Sequence, residues 1–158
     1  MFNIRASYAD ETESLVQHLA TVGIKRIAIV HQNNTFGQDV ANAAHQFIAS
    51  NKLTETAVAT VENDGSDAAA AATKIVASQP EAVILGLAGT PTVEFVKAIR
   101  KQRKGMPLYA LSVMGAAATL KAMGADATGI TVSQVMPCPP TTSCRWCVNF
   151  SWPGRPQT

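Results

Sequence analysis

The sequence predicts an α/β fold: a doubly wound, mainly parallel five-stranded sheet with helices on both faces. Short runs of apolar and β-branched residues recur along the chain, as in residues 27–30 and 82–87. Stretches with apolar residues at helical spacing lie between these runs, and glycine or proline marks most of the boundaries. Strict alternation of strands and helices is typical of a parallel sheet whose two faces are both covered.

Each element follows from a local pattern. Ser7 and Asp10 have capping-box spacing, and Gly23 is the expected stop of the first helix. Ser66 and Asp67 are expected to cap the third helix, and Thr90 to cap the fourth. The predicted helices cover residues 8–22, 36–50, 67–78, 91–103 and 116–123, and the predicted strands cover residues 26–30, 55–61, 82–87, 108–112 and 129–134.

Length and composition limit the function classes. A chain of 158 residues with 47% hydrophobic and 15% charged residues fits one folded globular domain. A net charge of +2 is too small to indicate nucleic acid or a membrane surface as a partner. The basic run at residues 100–104 is interpreted as a solvated helix end, where cations suit the helix dipole.

Neither a membrane span nor a leader is predicted. No segment has the eighteen or more apolar residues that a bilayer requires. The opening residues, MFNIR, lack the basic region and apolar core of a secretory signal. These features predict either a cytoplasmic protein or a piece of a longer one.

The last residues have a different character. The repeating plan is expected to occupy residues 1–137, and residues 138–158 read as an irregular tail. This tail holds all three cysteines, Cys138, Cys144 and Cys147. A zinc site usually needs four ligands, so free or incidental thiols are the preferred interpretation, and no metal site is predicted.

Motifs for common chemistry are absent. The loop after the first strand has one glycine, so it lacks the dinucleotide fingerprint and the phosphate loop. The chain also lacks a Gly-x-Ser-x-Gly elbow. His31 lies at the carboxyl end of the first strand, where a lone histidine could meet a ligand. We therefore expect no cofactor and no catalysis, whereas binding by loop backbone and small polar side chains remains open.

Four stretches carry a resemblance to a known family. They are residues 2–11, residues 23–30 with Phe36 and Gly37, residues 80–85 and residues 124–129. In order and spacing they resemble the second lobe of type I periplasmic solute-binding proteins of ABC transporters. The subfamily is that of the leucine/isoleucine/valine-binding proteins, and the resemblance covers about residues 2–137.

The resemblance implies a non-catalytic, periplasmic solute-binding component that works with an ABC permease. In that family two lobes close on a small ligand, so this chain would provide the second lobe only. Residues 138–158 would then not continue the family's sequence pattern, as after a shift of the reading frame. The missing first lobe also implies exposed apolar surface on the hinge side, and with it self-association.

The resemblance also assigns candidate contacts. Phe36 matches an aromatic residue that packs on the ligand, whereas Ala88 stands where the family often has a tyrosine. Alanines at residues 116 and 117 replace an acid that often binds the ligand's ammonium group. A branched or aromatic, amino-acid-like carboxylate would suit these loops. Arg5 could pair with its carboxylate near the hinge, or it could be a surface arginine there. The expected ligand-binding residues are Arg5, His31, Phe36, Ala88, Thr90 and Met114.

Two other functions remain open at this point. One is a ligand-sensing domain of the same fold, attached to a receptor or a regulator. The other is a small α/β enzyme that uses His31 as a base. Sequence beyond either end of the chain would identify the first, and replacement of His31 tests the second.

Overall fold

A computed structural model describes residues 6–115 and 117–134 of the chain. Helices and strands alternate in the described residues, as predicted. The helices are α1 (Tyr8–Val22), α2 (Thr35–Ser50), α3 (Ala68–Ala77), α4 (Thr90–Gln102) and α5 (Ala117–Met123). The strands are β1 (Arg26–Gln32), β2 (Thr54–Val61), β3 (Ala82–Gly86), β4 (Leu108–Ala110) and β5 (Ile130–Val132). Single 3₁₀ turns at Ser112–Gly115 and Gly124–Ala127 flank α5.

The five strands form one parallel sheet in the order β2-β1-β3-β4-β5. The fold class predicted from the sequence is therefore confirmed. Because the strands are parallel, all their carboxyl ends meet at one edge of the sheet. The chain moves outward from β1 to β2 and then crosses back to β3, so the direction of winding changes between β1 and β3. Open α/β sheets bind ligands at such a switch point.

Apolar side chains cover both faces of the sheet. One core joins α1 and α2 to the sheet through residues such as Leu19, Ile29 and Val40. The other joins α3 and α4 through residues such as Ile75 and Phe95. Each fully buried large side chain contributes roughly 1.5–3 kcal/mol, so the two cores account for most of the favourable energy of folding.

The ends of α1 follow the predicted chemistry. The Ser7 hydroxyl accepts a hydrogen bond from the Asp10 amide at 3.2 Å, and the Asp10 carboxylate accepts one from the Ser7 amide at 2.8 Å. The Ser7 hydroxyl and amide together lower the pKa of Asp10. Gly23 has φ 86°, a left-handed conformation in which a side chain would be strained. The capping box and the glycine stop are thus both confirmed.

Other boundaries differ from the prediction. β1 continues through His31 and Gln32 because it pairs with β2 as far as Val61. β4 ends at Ala110, shortly before the 3₁₀ turn Ser112–Gly115, and β5 covers only Ile130–Val132, the residues that pair with β4. The first strand is therefore longer, and the last two are shorter, than their apolar runs suggested.

The caps of α3 and α4 are also corrected. The N-cap of α4 is Gly89, and Thr90 is already helical. Asp67 is the N-cap of α3, but its carboxylate accepts from the Glu62 amide at 2.8 Å and not from α3 itself. The carboxylate therefore closes the preceding loop, which the spacing of Ser66 and Asp67 did not reveal.

The expected apolar surface on the hinge side stays a prediction. Val22, 58% exposed, is the large hydrophobic residue that stands out among residues 6–115 and 117–134. It ends α1 beside the amino ends of the strands. Self-association likewise stays a prediction. Within the same residues, no helix has the length and apolar character needed to cross a bilayer.

Candidate functional site

Three loops meet where β1, β2 and β3 end, and we call this region the carboxyl edge (residues 31–37, 62–67 and 87–90). Gln32, the last residue of β1, is only 8% exposed and joins these loops. The side-chain NH₂ of Gln32 donates to the side-chain oxygen of Asn63 at 2.8 Å. The side-chain oxygen of Gln32 accepts from the main-chain amide of Ala88 at 3.2 Å. One neutral side chain therefore fixes the loop after β3 against the loop after β2.

Two asparagines extend this network. The side-chain amide of Asn33 donates to the Glu62 carboxylate at 2.8 Å. The main-chain carbonyl of Asn33 accepts from the side-chain amide of Asn63 at 3.2 Å. Asn34 donates to Asn63 at 3.2 Å and accepts from the Gly37 amide at 2.8 Å, which caps α2. The polar run after the first strand is thus a connected set of hydrogen bonds that holds the loops in place.

Gly37 permits the close approach of α2 to β1. A β-carbon at this position would lie 2.0 Å from the main-chain oxygen of Gln32. That distance is impossible for real atoms, so a side chain here would displace either the helix or the end of the strand. The glycine is required by packing, not by a bound phosphate group.

His31 is partly buried and already engaged. Its Nδ1 lies 3.2 Å from the Gln32 main-chain oxygen, and its Nε2 lies 3.2 Å from the Thr60 hydroxyl. Nδ1–H donating to the carbonyl leaves Nε2 to accept from Thr60, so one neutral tautomer satisfies both contacts. The ring therefore braces β1 against β2.

Phe36 and Ala88 are both half-buried. The ring of Phe36 meets Tyr8 of α1 edge to face, with 4.7 Å between centroids. Ala88 follows β3, and its amide is held by Gln32. Both residues lie at the carboxyl edge, as predicted, and each keeps some surface exposed.

Thr90 opens α4, a helix of 13 residues. Its side chain is exposed, and the preceding Gly89 has φ 69°. Among the described residues, no side chain caps the first turn of α4. Pro91 has no N–H and the next two residues are buried, so Thr90 is the exposed residue of this turn at which the positive end of the helix dipole meets solvent. In the same turn, the fully buried Thr92 hydroxyl has no hydrogen-bond partner in the described part of the chain.

Two predicted contacts do not join this group. Met114 is 0% exposed and packs in the core beneath the 3₁₀ turn after β4, so it presents no surface to a ligand in this structure. Arg5 lies outside the described residues. His31, Phe36, Ala88 and Thr90 thus lie at the carboxyl edge, whereas the expected set had six members.

The sequence interpretation missed Gln32, Asn63 and Glu11. The Glu11 carboxylate is buried and accepts from the Ser112 amide and hydroxyl, both at 2.8 Å, and from the Ser133 hydroxyl at 2.7 Å. These bonds fasten the loops after β4 and β5 to α1. One signal was present: Glu11 is four residues before Leu15, so it lies on the apolar face of α1.

The acids at this edge are structural. The Ser66 amide and hydroxyl lower the pKa of Asp64, so this carboxylate stays charged at neutral pH while it closes its own turn. Across residues 6–115 and 117–134, no three metal-binding side chains cluster together. The three cysteines lie outside the described residues.

Comparisons with known proteins agree with this architecture. A family model described as periplasmic binding protein matches residues 1–143. A substrate-binding periplasmic protein from Ralstonia solanacearum is 27% identical, with a TM-score of 0.71 over 86% of this chain and 39% of that one. An extracellular ligand-binding receptor from Verminephrobacter eiseniae is 26% identical, with a TM-score of 0.76 over 90% and 41%. A possible leucine/isoleucine/valine-binding protein from Rhodopirellula baltica is 26% identical, with a TM-score of 0.76 over 85% and 38%.

A comparison with curated proteins gives no significant match. The chain spans 38–41% of the length of the three solved structures named above. The match to the family model extends over most of the chain, and the parallel sheet of the structure agrees with it. The chain therefore belongs to the periplasmic binding protein family, with the type I fold of the leucine/isoleucine/valine-binding proteins.

Proposed function

We propose that this chain is the second lobe of the solute-binding component of an ABC import system. It would bind a small, amino-acid-like carboxylate with a branched or aromatic side chain, without catalysis. The observation that carries the proposal is the carboxyl edge at the β1/β3 switch point. There Gln32 fixes the loop after β3 immediately before the uncapped start of α4.

The start of α4 offers a place for the carboxylate of the solute. Partial positive charge accumulates at a helix N-terminus, and exposed amides there donate to anions. Thr90 is exposed and adds a hydroxyl at the same position. Because Gln32 already holds the Ala88 amide, the loop need not be ordered again when a ligand binds.

The neighbouring apolar groups suit the body of such a solute. Phe36 is half-buried against Tyr8, so its ring is held in place and part of its surface remains accessible. Ala88 is small and half-buried at the same edge of the sheet. A branched or aromatic side chain would suit these groups better than a small polar one, because apolar contact is gained roughly in proportion to buried area.

One lobe provides only part of a closed site. The chain spans 38–41% of its solved relatives, and family members close two lobes on their ligand. Without the facing lobe, the solute would keep contact with water and lose part of its interactions. We therefore expect weak binding by this chain alone.

Calorimetry tests this expectation. Leucine, phenylalanine and a matched amine that lacks the carboxylate would be titrated into the chain. The two amino acids should bind no more tightly than about 1 mM, and the amine more weakly still. A micromolar constant would overturn the claim that a second lobe is needed. Equal binding of amine and amino acid would overturn the assignment of the carboxylate to α4.

The location and the partner follow from the family. We propose a periplasmic location and a membrane permease as the partner of the full-length protein. Arg5 keeps its proposed role as a contact to the ligand carboxylate near the hinge. Met114 is left out of the proposed site because its side chain is fully buried.

A ligand-sensing role is the second candidate, since one of the similar structures is described as an extracellular ligand-binding receptor. The reading frames beside the gene discriminate between the two roles. Permease and ATPase genes would favour import, whereas a fused signalling domain would favour sensing.

Catalysis by His31 has less support. Both of its ring nitrogens already have partners within hydrogen-bond distance. We expect His31→Ala to leave solute binding within about twofold of the unchanged protein. A larger loss of affinity would show that His31 contributes to solute binding.

A further inference from the structure

A cavity of about 520 Å³ lies at the opposite edge of the sheet, beside the amino ends of β4 and β5. It opens between the second half of α4 and the 3₁₀ turn Gly124–Ala127. Lys97, Lys101 and Lys104 line it together with Arg100. Lys97 and Lys101 are four residues apart, which places them on one side of α4, and Lys104 lies in the turn after the helix. The volume falls in the range that small-molecule ligands occupy in proteins. We call this region the amino-edge cavity.

Arg100 is 7% exposed, which corrects the interpretation of a solvated helix end for this residue, whereas Lys101, Arg103 and Lys104 are exposed as predicted. Its guanidinium donates to the main-chain oxygens of Lys104, Met106 and Thr128, each at 2.8 Å. A longer bond of 3.4 Å reaches the main-chain oxygen of Asp126. Carbonyls satisfy the donors but carry no full negative charge. Burial lowers the pKa of Arg100, and the nearby Asp126 carboxylate only opposes this effect.

The side chains of this protein do not supply a sufficient counter-charge. All eleven aspartates and glutamates of the sequence lie within the described residues. Of these, only Asp126 lines the cavity, against four cationic residues. Lys97 has one other acidic neighbour, Glu94, at a nitrogen–oxygen distance of 3.8 Å. Residues 1–5 and 135–158 contain no acidic side chain. The carboxyl end of α4 adds partial negative charge, and solvent hydrates the exposed lysines, so an anionic ligand would find this surface attractive.

We propose that the amino-edge cavity binds a small polyanion that carries two or more carboxylate or phosphate groups. Lys97 and Lys101 are four residues apart on α4, a rise of about 6 Å along the helix, and Lys104 lies in the turn that follows it. Two anionic groups on one ligand match this span better than a single ion does. The site is separate from the carboxyl edge, because it lies at the other end of the strands and shares no residue with it.

The test is calorimetric titration of the whole chain at low ionic strength with citrate and, separately, with pyrophosphate. Citrate represents polycarboxylates, and pyrophosphate represents ligands with two phosphate groups. The double variant Lys101→Gln/Lys104→Gln should weaken binding about tenfold, because it removes two charges close to the ligand. The double variant Lys52→Gln/Lys74→Gln has the same net charge and leaves the cavity unchanged. It should bind as the original chain does.

Asp126→Asn gives a readout of opposite sign. It removes the one carboxylate in the cavity, so binding should become about threefold tighter. Damage to the fold would not produce tighter binding, so this variant separates the proposal from a structural effect. Arg100 is left unchanged in these variants because it holds the surrounding backbone.

Three outcomes would overturn the proposal. The first is the absence of binding by both anions. The second is equal weakening by the two double variants, which would indicate a response to net charge alone. The third is binding of an acidic peptide without binding of either small anion, which would assign the surface to a protein partner. None of these outcomes bears on solute binding at the carboxyl edge, which depends on other residues.

Discussion

Gln32 joins loops at the carboxyl edge and Arg100 joins main-chain groups beside the amino-edge cavity, and these two buried polar side chains differ in charge. Gln32 at the carboxyl edge is neutral and joins groups 31 and 56 residues away. Arg100 at the amino edge is cationic and joins groups up to 28 residues away. Distant segments of the chain are therefore joined by a neutral amide at one edge and by a guanidinium at the other.

This difference in charge indicates which ligands each edge can bind. A neutral anchor leaves the weak field at the start of α4 as the main attraction for an anion, which suits a single carboxylate. A cationic anchor with three neighbouring lysines creates a stronger field, which suits a polyanion. The two edges should therefore respond differently to salt, since binding between several charges is screened more strongly.

The largest expected effect tests how closely the carboxyl edge is packed. Gly37→Ala should lower the free energy of unfolding by about 3 kcal/mol, because the added methyl group would lie 2.0 Å from the Gln32 oxygen. Gly105→Ala is the control, since a β-carbon there has nothing within 4 Å. Urea denaturation measures both. Equal stabilities of the two variants would contradict the packing role of Gly37.

The second effect tests the cationic anchor. Arg100→Met should lower the free energy of unfolding by about 2–3 kcal/mol, because it leaves several buried carbonyls without a charged donor. Arg103→Met removes an exposed charge at the end of the same helix and should cost less than about 0.5 kcal/mol. If Arg100→Met costs no more than Arg103→Met, the guanidinium is not an anchor.

Replacement of Gln32 should lower the free energy of unfolding somewhat less than replacement of Arg100. Gln32→Leu removes two hydrogen bonds and leaves the Ala88 amide without its acceptor, so a loss of about 1–2 kcal/mol is expected. Gln38→Leu on the exposed side of α2 is the matched control. Hydrogen exchange at the Ala88 amide gives a local readout and should become faster only in Gln32→Leu. Unchanged exchange would mean that Gln32 does not fix the loop after β3.

The smallest effect has the opposite sign. Thr92→Val replaces a buried hydroxyl that has no partner in the described part of the chain with a methyl group of similar size. The free energy of unfolding should rise by about 1 kcal/mol, because a polar group is no longer buried without a hydrogen bond. Thermal denaturation measures this change. A clear loss of stability would show that the hydroxyl has a partner in solution.

The sequence was sufficient for the architecture because its signals are local. The apolar run before His31, the capping box at Ser7 and the glycine after α1 each depend on residues a few positions apart. Such patterns predict which element forms and roughly where it begins. They predict the parallel sheet as well, since the alternation of strands and helices allows few other folds.

The site depended on distant partners and could be predicted only in part. Gln32 follows an apolar run and looks like the first loop residue, because its partners at Asn63 and Ala88 are far along the chain. Arg100 is one of four cations near a helix end, and local spacing does not reveal which of them meets the carbonyls of Met106 and Thr128. Exposure depends on such contacts, so residue type and periodicity were not enough.

Amide chemical shifts of the isotopically labelled chain, followed during titration with leucine, test the central claim most directly. The account predicts that the largest changes occur at Ala88, Gly89 and Thr90, with a dissociation constant of about 1 mM or weaker. The amides around the amino-edge cavity, such as those of Lys101 and Thr128, should not change. Changes confined to the amino edge, or none at the start of α4, would contradict solute binding at the carboxyl edge.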